Sequence, residues 1–257
     1  ALAEGLGRKA LAEGLGRKAL AEGLGRKALA EGLGTGLLVA VVVGSGIAAQ
    51  RLSPGDTGAQ LVENSIATGA GLVALILAFG SVSGAHFNPV VSVIDWFVGG
   101  LSVAGAAVYV SAQVIGACVG CVVANVMFDL DAVAVSDATR ASSGIWLGEV
   151  VATFGLIVVI LGLARAGRAA LAPFAVAAYI TAAYWFTSST SFANPAVTIG
   201  RTLTDTFAGI APSSVPAFIA FQFVGAALAL AVSLYLHPSL DPDDLVIPHD
   251  AEEGAPP

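Results

Sequence analysis

Two Asn-Pro pairs carry the chemistry that this sequence can do. Asn194-Pro195 lies in Ser191-Phe192-Ala193-Asn194-Pro195-Ala196-Val197-Thr198-Ile199-Gly200-Arg201, and Asn88-Pro89 in Ser83-Gly84-Ala85-His86-Phe87-Asn88-Pro89-Val90-Val91-Ser92-Val93. Asn is among the strongest helix N-caps, and Pro fits the first helical position, where a backbone donor has no partner. A capping Asn commits its side-chain oxygen to a backbone N–H of its own helix and turns its NH₂ outward as a donor. Each box therefore begins a short helix and presents one donor together with a positive dipole end. A neutral hydroxylic molecule can accept from such donors, whereas a cation is repelled and finds no replacement for its hydration shell. No nucleophile–base or metal-ligand pattern such as G-x-S-x-G or H-E-x-x-H accompanies the boxes, so the sequence is not read as an enzyme, and neither metal nor cofactor is expected.

The elements that must position these boxes are membrane spans. The chain has 257 residues, 56% hydrophobic and 11% charged, with mean hydropathy +0.86. Too few polar groups remain to cover a soluble surface, which predicts an integral membrane protein. Six spans of bilayer length are read at 31–51, 61–80, 103–127, 145–164, 170–188 and 213–236. The runs headed by the two boxes are too short to cross, so they read as half-helices. Half of the membrane domain repeats: Glu31-x-x-x-Thr35 returns as Glu149-x-x-x-Thr153, and Gln113-x-x-Gly116-Ala117 returns as Gln222-x-x-Gly225-Ala226. Three spans per half is an odd number, so the second half is inserted upside down. The expected fold class is an all-α membrane protein of six transmembrane helices and two re-entrant half-helices in inverted three-helix repeats. Such repeats place the functional site between the halves near the midplane. Unpaired backbone at that depth requires burial in protein or an aqueous lumen.

Outside this domain, taken as 28–236, the chain carries little chemistry. Residues 1–27 are three identical copies of Ala-Leu-Ala-Glu-Gly-Leu-Gly-Arg-Lys, read as a duplication or addition rather than a fold, because a nine-residue period alternates faces and two glycines per copy weaken a helix. No cleavable leader is read there. Residues 237–257 form an acidic, Pro-punctuated tail, expected to be disordered, which contributes to the net charge of −7. His237 and His249 lie beyond the last span and carry no case. Cys118 and Cys121 share one face of one span and read as buried small hydrophobes. Arg165 and Arg168 with the basic copies, against Arg51 and Arg140, place both termini in the cytoplasm.

Residues 28–236 resemble the major intrinsic protein family of aquaporins and aquaglyceroporins. Ser83–Pro89 and Ala193–Ala196 are similar to its two signature boxes, and the paired Glu-x-x-x-Thr elements to its first and fourth helices. The resemblance implies a passive pore in each subunit, a homotetramer, and location as a multi-pass protein of the plasma membrane. The expected partners are small uncharged solutes and the lipid bilayer, with no nucleic acid. Asn88, Pro89, Val90, Asn194, Pro195 and Ala196 become the pore midplane, with Val90 replacing the usual Ala. Glu31 and Glu149, which as intramembrane carboxylates could be proton-relay sites, become supports for the re-entrant loops. His86 is placed beside the lumen or packed within its loop.

Carried over by distance from the two Asn residues, the family's selectivity filter falls on Thr68, Ala182, Ser191 and Val197. Val197 departs from the usual Arg, so the filter is expected to be wide, uncharged and without a guanidinium. It resembles the filter of bacterial aquaglyceroporins associated with arsenic resistance, and the 184–191 segment looks similar to theirs. The implied cargo is arsenite and other metalloid hydroxides, glycerol-like polyols and water. The alternatives are a strict water channel and, from another class, a secondary transporter, which also uses broken helices in inverted repeats. Two charges remain, each seven residues beyond a box Asn: Asp95 and Arg201. With His86 they are candidates for the pore mouths. Arg201 reads either as a residue snorkelling to the interface or pairing with Asp205, or as a positive guard about 10 Å beyond the box.

Overall fold

The structure is a computed structural model that describes residues 2–236, with side chains described from residue 23 onward. Helices α1 (Leu2–Leu52), α2 (Thr57–Ser83), α3 (Pro89–Val98) and α4 (Val103–Met127) form the first half. Helices α5 (Ser143–Arg165), α6 (Ala172–Phe186), α7 (Pro195–Gly200) and α8 (Val215–Leu236) form the second, with short 3₁₀ turns at Ala169–Leu171, Arg201–Leu203 and Pro212–Ser214. Among the described residues, six helices are long and apolar enough to cross a membrane, while α3 and α7 are not. The six spans and two half-helices are those expected, and the described residues contain no strand.

One expectation is corrected. The backbone of the nine-residue copies is helical and continuous with the first span, since α1 starts at Leu2. Each copy contains Ala, Leu, Glu, Arg and Lys, all strong helix formers, and a glycine penalty of about 1 kcal/mol in a helix interior is small enough for such neighbours to offset. The acidic tail at 237–257 lies outside the described residues.

Each half is built the same way. Helix α1 packs on α2 and α4, and α5 packs on α6 and α8. The halves join where α2 meets α6 and where each half-helix leans on the other half's last span, α3 on α8 and α7 on α4. Glycine sets the closest approach. A Cβ on Gly116 would stand 2.1 Å from the Gly32 carbonyl oxygen, and one on Gly225 would stand 2.4 Å from that of Val150. Because each of these glycines lies three residues after a Gln, the closeness of the helices also brings Gln113 and Gln222 within reach of the partner helix's Glu. This is how membrane helices pack without a hydrophobic drive between them.

Candidate functional site: a lumen between two re-entrant loops

The two half-helices begin where the sequence places them. Asn88 caps α3, its Oδ1 accepting from the Val90 N–H at 3.0 Å. Asn194 caps α7, accepting from Ala196 N–H at 3.0 Å and Val197 N–H at 3.2 Å. Their amides also tie the loops together across the pseudo-twofold axis. Asn88 Nδ2 donates to the Ala193 carbonyl and Asn194 Nδ2 to the Phe87 carbonyl, both at 2.7 Å. One N–H of each amide is thereby used, and one is left for the lumen.

The loops that deliver these caps are strained in the same register. Gly84, Ala85 and Phe87 have positive φ, as do Thr190, Ser191 and Ala193, which stand at the same distances before their Asn. Five of the six are not glycine, and such residues each cost about 1–3 kcal/mol unless the surroundings hold them. The buried carboxylates hold them. Glu31 accepts from the backbone N–H of His86 and Phe87 at 2.9 and 2.7 Å, from Ser83 Oγ at 2.6 Å and from Gln113 Nε2 at 2.8 Å. Glu149 accepts from Phe192 and Ala193 N–H at 2.9 and 3.0 Å and from Gln222 Nε2 at 2.6 Å. Both carboxylates are fully buried, and neither lines the cavity.

Ser92 and Thr198, four residues beyond each Asn, complete the frame and escaped the sequence reading. Gln113 Nε2 donates to Ser92 Oγ at 2.9 Å, and Gln222 Nε2 to Thr198 Oγ1 at 3.0 Å. The signal was present as a hydroxyl residue at the same offset in both boxes. A second matched set is aromatic. His86 meets Tyr109 edge-on at 5.4 Å between centroids, and Phe192 meets Phe218 at 5.0 Å; Tyr109 and Phe218 each precede the paired Gln by four residues.

Between the loops and the helices runs a cavity of about 100 Å³. Its apolar side follows rows at four-residue spacing, Thr68, Leu72 and Ile76 on α2 and Ala172, Val176, Ile180 and Tyr184 on α6. The α6 row alone spans about 18 Å at 1.5 Å per residue. The polar side carries Asn88, Asn194, His86, Ser191 and Arg201. Pro89, Val90, Pro195 and Ala196 are buried behind the two Asn residues and do not face the lumen.

The filter expectation needs correction. Thr68, Ser191 and Val197 line the cavity, but Ala182 is exposed on the outer side of α6. It stands two residues from both Ile180 and Tyr184, about 200° around the helix from each. Tyr184 lines the lumen instead, its hydroxyl 3.1 Å from Thr68 Oγ1. Arg201 also lines it, only 4% exposed, with its guanidinium carbon 3.5 Å from the Phe192 ring centroid and Nε bonded to the Ala208 carbonyl. It neither snorkels nor pairs with Asp205, which is exposed and accepts from Ser136 Oγ and the Asp137 N–H. The cavity at the expected filter positions is therefore lined also by an aromatic and a guanidinium, rather than only by small uncharged groups. Of the remaining mouth candidates, His86 lines the cavity, with Nδ1 3.0 Å from Ser92 Oγ. Asp95 does not; it is fully buried behind His86, Oδ2 lying 3.7 Å from Nε2.

Six spans enclosing a lumen with polar atoms on one side, and two half-helices meeting within it, define a membrane protein with an internal path for small molecules. Residues 21–191 match the Major intrinsic protein family. The chain is 49% identical over 222 residues to Aquaglyceroporin AqpS of Rhizobium meliloti (strain 1021), covering 86% of this chain and 93% of that protein. It is 34% identical over 184 residues to Aquaporin AqpM of Methanothermobacter marburgensis, covering 66% and 75% respectively. Its fold is similar to the X-ray structure of the aquaglyceroporin from Plasmodium falciparum, with a TM-score of 0.63 at 17% identity, covering 84% of this chain and 98% of that one. The chain belongs to the major intrinsic protein family, and it is a passive transmembrane channel for water and small solutes.

Proposed function

We propose that this channel conducts small uncharged hydroxylated solutes, arsenite and other metalloid hydroxides and glycerol-like polyols, as well as water. The observation that carries the reading is the two-sided lumen, with apolar rows on α2 and α6 facing the Asn88 and Asn194 amides, the Ser191 hydroxyl and the Arg201 guanidinium. A polyol can lay its C–H edge on the apolar rows while its hydroxyls exchange water for these groups, so that binding is favourable enough to enter and weak enough to leave. Arsenous acid, whose pKa lies above neutrality, presents the same kind of hydroxyl surface without charge. The 49% identity to a bacterial protein named an aquaglyceroporin supports the same class of cargo.

In this reading Asn88 and Asn194 are the midplane donors. Thr68, Tyr184, Ser191 and Val197 form the constriction, Glu31 and Glu149 hold the loops, and Ser92 holds the His86 ring with Asp95 behind it. The channel unit is 28–236, with the nine-residue copies as an extension of the first helix. It assembles as a homotetramer in the plasma membrane with cytoplasmic termini, and it performs no catalysis.

Stopped-flow measurement of water, glycerol and arsenite entry into proteoliposomes tests the proposal. All three fluxes should exceed those of empty vesicles, stay linear in solute and ignore ionophores; saturation with dependence on an ion gradient would indicate a secondary transporter. The Tyr184–Thr68 hydrogen bond, which narrows one quadrant of the filter, favours the rival of a strict water channel. Water flux with glycerol and arsenite at the level of empty vesicles would establish that rival.

A further inference from the structure

We propose that Arg201 is the selectivity-filter cation of this channel, supplied from one helical turn farther along the chain than Val197, with Phe192 as its platform. The inference rests on the cavity being the conduction path, and not on which uncharged solute passes.

Side chains on a helix lean toward its N-terminus and cover the preceding turn. Arg201 follows Val197 by four residues, so its side chain returns over the Val197 level, and both residues line the same cavity with Ser191 and Tyr184. The guanidinium is fixed on two sides and the backbone that carries it by a third contact. Its face lies on the Phe192 ring, its Nε donates to the Ala208 carbonyl, and the Ile210 N–H closes the turn on the Arg201 carbonyl at 3.3 Å. The platform is itself fixed, because Phe192 packs on Phe218 and carries Arg140 5.3 Å from its centroid. Arg140 is anchored by donation from Nε to the Gly209 carbonyl at 3.0 Å and from Nη2 to that of Phe207 at 3.4 Å.

No carboxylate among the described residues forms an ion pair with Arg201. Glu149 is occupied by the 192–193 backbone and Gln222, and Asp205 by the 136–137 segment. The guanidinium thus brings a positive charge without an ion-pair partner to the lumen wall, with its face and Nε engaged and its Nη edge remaining for a passing hydroxyl. A planar fork held on an aromatic face is a fixed donor array that lysine cannot reproduce. The relation is a mirrored one: in both halves the ring two residues before Asn meets the charge seven residues after it, His86 with Asp95 and Phe192 with Arg201. Only the second of these charges lines the cavity.

The test is a charge swap in proteoliposomes, normalised to folded channel. Arg201→Gln should raise sodium and proton conductance by about tenfold or more at low ionic strength, falling as salt screens the site. Val197→Arg should place two guanidiniums at one level and cut water and glycerol flux about tenfold; combined with Arg201→Gln it should recover to within about threefold of wild type, a non-additivity expected only of neighbours. Arg201→Met, which also removes the charge, should leak in the same way and serves if the Gln variant does not fold, whereas Arg201→Lys should remain cation-tight. The proposal is overturned if the double variant conducts no better than Val197→Arg, or if folded Arg201→Gln shows wild-type cation conductance. If wild type passes water alone, the solute reading fails, while the swap is still decided on water and cation flux.

Discussion

The two re-entrant loops, 83–98 and 188–203, share a skeleton but not a lining. In both, a buried Glu receives two backbone N–H groups, a Gln reaches a hydroxyl four residues past the Asn, and an aromatic ring supports the residue two before it. The differences fall on the residues that support or line the lumen. The first loop carries His86 backed by Asp95 and continues into a ten-residue helix; the second carries Phe192 under Arg201 and a six-residue helix that passes into a 3₁₀ turn. Symmetry thus serves to hold two strained loops against each other, and the lining of the cavity differs where the symmetry breaks.

The largest effect should come from the shared skeleton. Glu149→Leu would orphan the Phe192 and Ala193 N–H groups and one N–H of the Gln222 amide, at roughly 1–3 kcal/mol for each buried donor. Its loop would also lose what holds its positive-φ residues. We expect little folded protein by size-exclusion chromatography in detergent, and the same for Glu31→Leu. If one of the two stays folded with wild-type flux, the loops are not held in equivalent ways.

The box asparagines come next. Asn194→Ala and Asn88→Ala each remove a cap worth about 0.5–2 kcal/mol, a tie to the opposite loop and a lumen donor. Both should lower water and glycerol flux per folded channel. Asn194→Ala should be the more harmful, since Asn194 caps a shorter helix through two bonds where Asn88 makes one. Wild-type arsenite flux in either folded variant would contradict the two-donor midplane.

The smallest contrast sharpens the filter. Tyr184→Ala should widen the lumen and raise permeability to larger polyols more than to water, whereas Ala182→Trp, facing outward, should leave the solute ranking unchanged. The reverse result would return Ala182 to the lumen.

Much of this was legible in the sequence because inverted repetition leaves marks at fixed offsets. Glu31 and Glu149, Gln113 and Gln222, and the two Asn-Pro caps sufficed for the fold and for the meeting of two helix starts. The hydroxyls at Ser92 and Thr198 follow the same rule. The filter was less legible, because its positions were counted along the chain from Asn194 through a loop of irregular backbone. A miscount of two residues moves a helical side chain to the other face, which is how Ala182 stood in for Tyr184. Arg201 was misplaced for another reason: distance along an axis locates a Cα, while a long side chain leans back a turn and finds its partner, Phe192, in three dimensions.

The central claim, passive conduction of uncharged hydroxylated solutes, is tested most directly by arsenite uptake into proteoliposomes as a function of pH, with glycerol measured in parallel. Arsenite flux should be high where arsenous acid is neutral, insensitive to ionophores, and should fall as pH rises through the acid's own pKa while glycerol flux holds. Arsenite uptake that stays at the level of empty vesicles at neutral pH, or that persists undiminished once the solute is ionised, would contradict it.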